Sequence, residues 1–286
     1  MNSDPIPSDP QIDLTTWFTY DSLKRKSPAL EELLDIFQYR DLVYQLVRRD
    51  IVARYKRSVL GVLWTMLQPL GMMLIMSIVF SKLFGRIEGY SAYLLSGLIA
   101  WTFFAQTTAS TVHQSVWGGA LMKRIYIPHT AFSISSIGTG LVNLIISLAP
   151  LFLILLAIRR PITPAILFIP IPILLLTAFA LGVGLLLSSV AVRFPDISEM
   201  YQIILQAWMY LTPILYPEDI LPEAYRFWLL HLNPMYYLIN MFRVPIYEGN
   251  LPSLEIILIG TSISLVTLLT GWILFSRQAD EFAYVA

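Results

Sequence analysis

Six long stretches of this 286-residue chain carry no Asp, Glu, Lys or Arg, and few folds can accommodate them. They run from Val59 to Ser81, Gly89 to Leu121 (with His113 inside), Thr130 to Ile158, Pro161 to Val192, Met200 to Pro217 and Ile256 to Ser276. About 18 consecutive apolar residues let a helix cross the roughly 30 Å hydrocarbon core of a bilayer. A soluble domain would have to enclose each such helix on all sides, and this chain is too short to enclose six. The expectation is an all-α, polytopic membrane protein with six transmembrane helices. Composition agrees, at 56% hydrophobic and 13% charged, against about 25% charged for an ordinary soluble domain.

The placement of charge sets the orientation. With Met1 inside, thirteen lysines and arginines fall on the cytoplasmic side and six on the outer side. That bias predicts both termini in the cytoplasm, although Arg159 and Arg160 stand on the unfavoured side. A net charge of zero offers no basic excess for nucleic acid. The absence of cysteine excludes disulfide and thiol chemistry. Residues 1–28 are polar and proline-rich and lack a basic segment leading into an apolar core. They are expected to form a flexible cytoplasmic leader, not a cleaved signal peptide.

From Pro28 the spacing turns helical, with Leu30, Leu33, Leu34 and Phe37 on one face. Val43, Leu46, Val47 and Ile51 continue it, with Arg40, Arg48, Arg49, Arg54, Lys56 and Arg57 elsewhere. An amphipathic interface helix is expected over 29–57, serving as an anchor, a gate or both. A transmembrane domain follows over 58–278, with a cytoplasmic tail over 279–286. Pro69 is expected to kink the first span, and Gly182 and Gly184 to let helices approach closely. The fifth stretch is short and ends in Thr212-Pro213. Residues 218–250 then mix Glu218, Asp219, Glu223 and Glu248 with Trp228, Tyr236, Tyr237 and Phe242, and Pro222, Pro234 and Pro245 interrupt them. Two short helices forming a re-entrant helical hairpin between spans five and six are expected there.

The missing chemistry narrows the function. No Gly-Lys pair exists, so the chain has no P-loop of its own. His113, His129 and His231 lack metal-ligand spacing. No span centre holds an ionisable residue of the kind ion-coupled transporters use. The outer acidic residues form no constellation suited to acid–base catalysis. No internal repeat suggests a secondary transporter. The expectation is a translocation pathway, not an enzyme, driven by a separate subunit.

Five motifs occur in order. Residues 48–70 hold Arg49-Asp50, Arg54-Tyr55-Lys56, Ser58, Leu60-Gly61, Trp64 and Pro69. Next comes Tyr93-Leu94-Leu95-Ser96-Gly97 with Trp101 and Phe103-Phe104, then Leu121-Met122-Lys123-Arg124-Ile125-Tyr126-Ile127-Pro128. Thr212-Pro213-Ile214-Leu215-Tyr216-Pro217 follows, and Asn233-Pro234-Met235 with Arg243 closes the series. Across residues 38–278 the chain resembles type-2 ABC exporter permeases of the polysaccharide export group, which serve O-antigen, teichoic acid or capsule. One departure is the run Arg193-Phe194-Pro195-Asp196, where many members of the group have Arg-Asp.

The resemblance implies a homodimer in a bacterial cytoplasmic (inner) membrane, paired with two ATPase subunits that bind ATP and Mg. The substrate it implies is a lipid-linked polysaccharide. It assigns coupling to the ATPase to Lys123, Arg124, Tyr126 and Pro128, together with Arg193 and Asp196; the plain reading of the basic residues is positive-inside charge. Arg49, Arg54, Lys56 and Arg57 become candidates for a lipid pyrophosphate head group at the entrance, against simple anchoring. Trp64, Trp101, Phe104, Trp208 and Tyr210 become candidate channel-lining residues, because aromatic faces suit the C–H groups of pyranose rings; belt or packing roles are the alternative. Pro213, Tyr216, Asn233 and Pro234 would shape the exit. Two other readings stay open: an integral-membrane enzyme acting on lipid-linked sugars, and a type-2 permease for drugs or small lipids.

Overall fold

The computed structural model describes residues 28–56, 60–61, 63–80, 82–83, 88–117 and 129–285. The leader before Pro28 lies outside them. The described residues are helical, with no strand among them. The helices are α1 (Pro28–Gln38), α2 (Arg40–Tyr55), α3 (Leu63–Phe80), α4 (Tyr90–Trp117), α5 (His129–Ala157) and α6 (Pro170–Ala191). They continue with α7 (Ile197–Leu211), α8 (Glu223–His231), α9 (Pro234–Arg243) and α10 (Leu254–Val285).

Among the described residues, four segments are long and apolar enough to cross a membrane: Leu63–Phe80, Thr130–Ala157, Pro164–Ala191 and Leu254–Gln278. The other two expected spans fall on α4 and α7 and depart from that pattern for different reasons. α4 has 28 residues but is studded with hydroxyls and amides. α7 has 15 residues, about 22 Å of helix, which is short of a full crossing.

α4 is the central post. It packs against α3, α5, α6, α7 and α9, and buries Leu94, Leu95, Ile99 and Phe104 among them. Several of its hydroxyls are satisfied within the helix. Thr107, Thr108, Thr111 and Ser115 each donate to the carbonyl four residues earlier. This back-bonding lets a hydroxyl-rich helix sit in apolar surroundings without water.

A close backbone-to-backbone joint lies between α6 and α10. A Cβ at Gly182 would collide with the Thr267 carbonyl, and one at Gly271 would collide with the backbone of Gly182. Lipid gives helices no hydrophobic reason to associate, so backbone approach through small residues takes that role. Gly184 lies about 200° further around α6 and meets Thr111 of α4 instead. The two glycines therefore serve different neighbours.

The expected single interface helix is two helices, broken at Tyr39. The apolar side of α2 is turned toward protein: Leu46 packs with Ala131 and Phe132 of α5, and Val47 fills the space beside Gly138. Thr130 at the start of α5 donates to Glu32 of α1. Residues 218–250 contain the two short helices expected there, but of opposite character. α8 exposes Tyr225, Phe227 and Trp228, whereas α9 is buried against α4, α6 and α10.

A candidate functional cleft of amides and aromatics

Three of the sequence motifs meet around one buried guanidinium. Arg243, at the end of α9, is 3% exposed. Its Nη1 donates to the Pro213 carbonyl at 3.0 Å, and its cationic carbon lies 3.8 Å from the centre of the Tyr93 ring. Gly97 leaves the room it occupies, since a Cβ there would meet Nη2. Tyr93 in turn donates to the Tyr216 carbonyl, and Tyr90 to that of Leu215. Planar geometry and weak hydration make arginine the cation suited to such a site.

At the other end of the same helix, Asn233 caps α9. Its Oδ1 accepts from Met235 N at 3.1 Å and from Trp208 Nε1 at 2.8 Å, and its Nδ2 donates to Thr212 Oγ1 at 2.9 Å. Pro234 occupies the first helical position, where its missing N–H costs nothing. The proposed exit residues are thus the fastenings that fix the end of α7. Tyr216 belongs with them, donating to the Tyr210 carbonyl at 2.8 Å.

Trp208 also belongs to a ring cluster. Its centroid lies 6.0 Å from Trp101 and 5.3 Å from Phe104, and Phe104 stacks on Phe179 at 5.4 Å. These contacts hold α4, α6 and α7 together behind Trp101, which lines a cleft.

That cleft, about 840 Å³, lies between α3, α4, α5 and α7. Trp64 and Trp101 supply aromatic surface, with Trp64 56% exposed. Five amides face it: Gln68, Gln106, Asn143, Gln202 and Gln206. Gln106 donates to Gln68 at 3.2 Å. Gln202 and Gln206 sit one turn apart on the exposed flank of α7, beside the buried Tyr201 and Leu205. No lining side chain is charged or titratable. Such a surface recognises hydroxyls and apolar ring faces, and its chemistry is indifferent to pH.

Membrane-length helices around an uncharged polar cleft are consistent with the membrane component of a transporter. The chain belongs to the ABC-2 type transporter family, whose model matches residues 41–247. It is 31% identical over 260 residues to the O-antigen export system permease protein RfbA of Myxococcus xanthus, covering 87% of this chain and 96% of that one. It is 25% identical over 250 residues to the O-antigen export system permease protein RfbA of Klebsiella pneumoniae, covering 86% and 95%. With the polysialic acid transport protein KpsM of Escherichia coli it shares 24% identity over 246 residues, covering 83% and 93%.

The residues singled out in the sequence fall into distinct places. Trp64 and Trp101 line the cleft. Phe104 is wholly enclosed behind it, Trp208 is half-buried in the same cluster, and Tyr210 is exposed outside the lining. Arg49 and Lys56 stand exposed on and just beyond α2; Arg54 lies on α2, and Arg57 lies outside the described residues. Lys123, Arg124, Tyr126 and Pro128 also lie outside them. Arg193 and Asp196 are in the turn between α6 and α7, with Asp196 exposed. Contacts of Thr111 with Gly184 and Ser188 put that turn at the end of the bundle where α4 finishes.

The sequence reading missed the amides. Their signal was available, since polar side chains inside charge-free spans are costly in lipid unless they face a cavity or a partner. Gln202 and Gln206, at helical spacing, were the plainest case.

Proposed function

We propose that two copies of this chain form the membrane pathway of an ATP-driven exporter of lipid-linked polysaccharide, of the O-antigen, capsule or teichoic acid type. The cleft carries this reading: two tryptophans and five amides, without a charge, fit sugar rings better than ions or fatty chains. The names of the relatives support the same substrate class.

In this arrangement six spans cross a bacterial cytoplasmic membrane with both termini inside, α4 and α7 completing the set. The transmembrane unit covers 58–278, and α8 and α9 form a re-entrant hairpin that shapes the outer exit. The α1–α2 segment over 29–57 borders the inner entrance, with Arg49, Arg54, Lys56 and Arg57 as the candidates for binding lipid head groups. ATP and Mg belong to a separate ATPase subunit, which the loop of Lys123, Arg124, Tyr126 and Pro128 engages together with Arg193 and Asp196. Closure of that subunit moves the inner ends of α4 to α7 and passes the polymer along the cleft. Trp64 and Trp101 offer ring faces, the amides exchange hydrogen bonds with successive hydroxyls, and the fastened end of α7 keeps the exit side in shape.

The test is export of lipid-linked polysaccharide by proteoliposomes holding the chain and its ATPase. Trp64→Ala combined with Gln206→Leu is expected to lower export roughly tenfold or more, given about 1 kcal/mol for each lost ring or hydrogen-bond contact. Undiminished export in that variant, or export without the ATPase, counts against the proposal.

A further inference from the structure

Of the four helices around the cleft, α3 is the least enclosed by its own chain. Only Pro69 and Met73 of its 18 residues are buried. A Cβ at Gly61, two residues before α3 begins, or at Gly71, within it, would meet nothing within 4 Å. The joint between Gly182 and Gly271 is the opposite case, where backbone meets backbone. Leu67, Leu74, Ile75, Ile78 and Val79 are exposed to lipid or to the second copy.

The inner edge of α3 is tied to the bundle by polar contacts inside the cleft. Gln106 Nε2 on α4 donates to Gln68 Oε1 at 3.2 Å. Ser147 Oγ on α5 reaches the Thr65 carbonyl, one turn earlier on α3, at 3.3 Å. All four residues line the cleft. Both bonds are long: the usual range ends at about 3.2 Å for N–H···O and about 3.0 Å for O–H···O. Ser147 also donates to the Asn143 carbonyl of its own helix at 2.8 Å, so its hydroxyl stays paired when α3 moves away. Gln68 is exposed and Gln106 half-buried, so a ligand in the cleft reaches both amides.

We propose that the Gln68–Gln106 bond is a latch that a saccharide releases, freeing α3 to swing as the moving wall of the cleft. This rests on the export reading above and adds a moving part to it. A hydroxyl both donates and accepts, so one sugar hydroxyl donates to Gln68 Oε1 and another accepts from Gln106 Nε2. While the latch is closed those two atoms satisfy each other. They serve a ligand only once α3 has moved, so a saccharide binds the released form better and draws the equilibrium toward it. Protein–protein bonds are traded for protein–sugar bonds, so the exchange costs little. Trp64, one turn before Gln68 on α3, carries its ring with the moving wall.

The chain has no cysteine, so introduced thiols report on α3 directly. Spin labels on Gly71→Cys of α3 and Leu174→Cys of α6 are read by double electron–electron resonance. The full chain sits in nanodiscs with its ATPase, added after labelling, and with unlabelled chain in excess. Lipid-linked polysaccharide is expected to move weight to a second interspin distance. Gln68→Leu, which cannot accept, is expected to raise that second population roughly fivefold without polysaccharide, the change one net hydrogen bond sets. A distance that neither treatment moves overturns the latch. So does one that shifts in Gln68→Leu but ignores polysaccharide, since the bond then only holds the fold.

A functional arm separates the latch from the export reading. Gln68→Cys with Gln106→Cys is bridged by a short bifunctional methanethiosulfonate, and the chain is then assembled with its ATPase in proteoliposomes. Bridging is expected to cut ATP-driven export at least tenfold, and reduction to restore it. Full export from the bridged chain overturns the latch and leaves the export reading standing. Absence of ATP-driven export by the unsubstituted chain overturns the export reading, and the latch with it.

Discussion

At the scale of single residues, Arg243 and Asn233 carry more of the structure than their side chains suggest. Arg243 holds the Pro213 carbonyl and the Tyr93 face with no carboxylate within ion-pair distance among the described residues. Arg243→Lys keeps the charge but loses the planar fork. It is expected to cost about 1–3 kcal/mol, the penalty for leaving a buried carbonyl unpaired, read as a lower thermal midpoint in nanodiscs. Asn233→Ala removes the cap of α9 and the acceptor for the Trp208 indole at once. About 1 kcal/mol is expected from the cap alone, with a further loss of about 1–3 kcal/mol from the stranded N–H. The Trp208 emission should shift to the red as its indole gains water; an unmoved spectrum would show that the hydrogen bond is not made. Both residues stood in a motif quoted from the sequence, but their partners lie 20 to 150 residues away, and spacing along a chain does not reveal such pairings.

At the scale of helices, packing tolerance differs sharply between neighbours. A methyl group added at Gly71 on α3 would meet nothing within 4 Å, whereas one at Gly182 or Gly271 would meet backbone. Gly71→Ala should therefore be neutral or stabilising by about 0.5–1 kcal/mol through helix propensity. Gly182→Val should abolish the folded, monodisperse protein in size-exclusion chromatography. Equal yields from the two variants would refute the α6–α10 joint. Helix existence was legible in the charge-free stretches, because apolar length is a property of consecutive residues. The break at Tyr39 and the burial of α9 were not. Both depend on what α5, α4 and α10 present to those segments, which a local pattern does not encode.

At the scale of the whole molecule, the cleft contains no group that titrates. Engagement of a neutral glycan there, followed by quenching of Trp64 fluorescence, is expected to be flat from about pH 5.5 to 8.5, the range in which a histidine would change charge. A bell-shaped or sigmoidal profile would place a titratable group in the path. The membrane class was visible in the sequence, and two of the five aromatics named there, Trp64 and Trp101, line the cleft. Its amides were not visible there, because glutamines on α3, α4 and α7 become neighbours only after the bundle closes. The joint between Gly182 and Gly271 sets a schedule for that closure. The two glycines are 89 positions apart, and α10 is the last of the described helices to be synthesised. That backbone contact therefore waits on the newest of the described helices. Until α10 enters the bilayer, α6 keeps an open backbone groove toward lipid, and a chain stalled before Gly271 is left as an unsealed assembly for quality-control proteases to recognise.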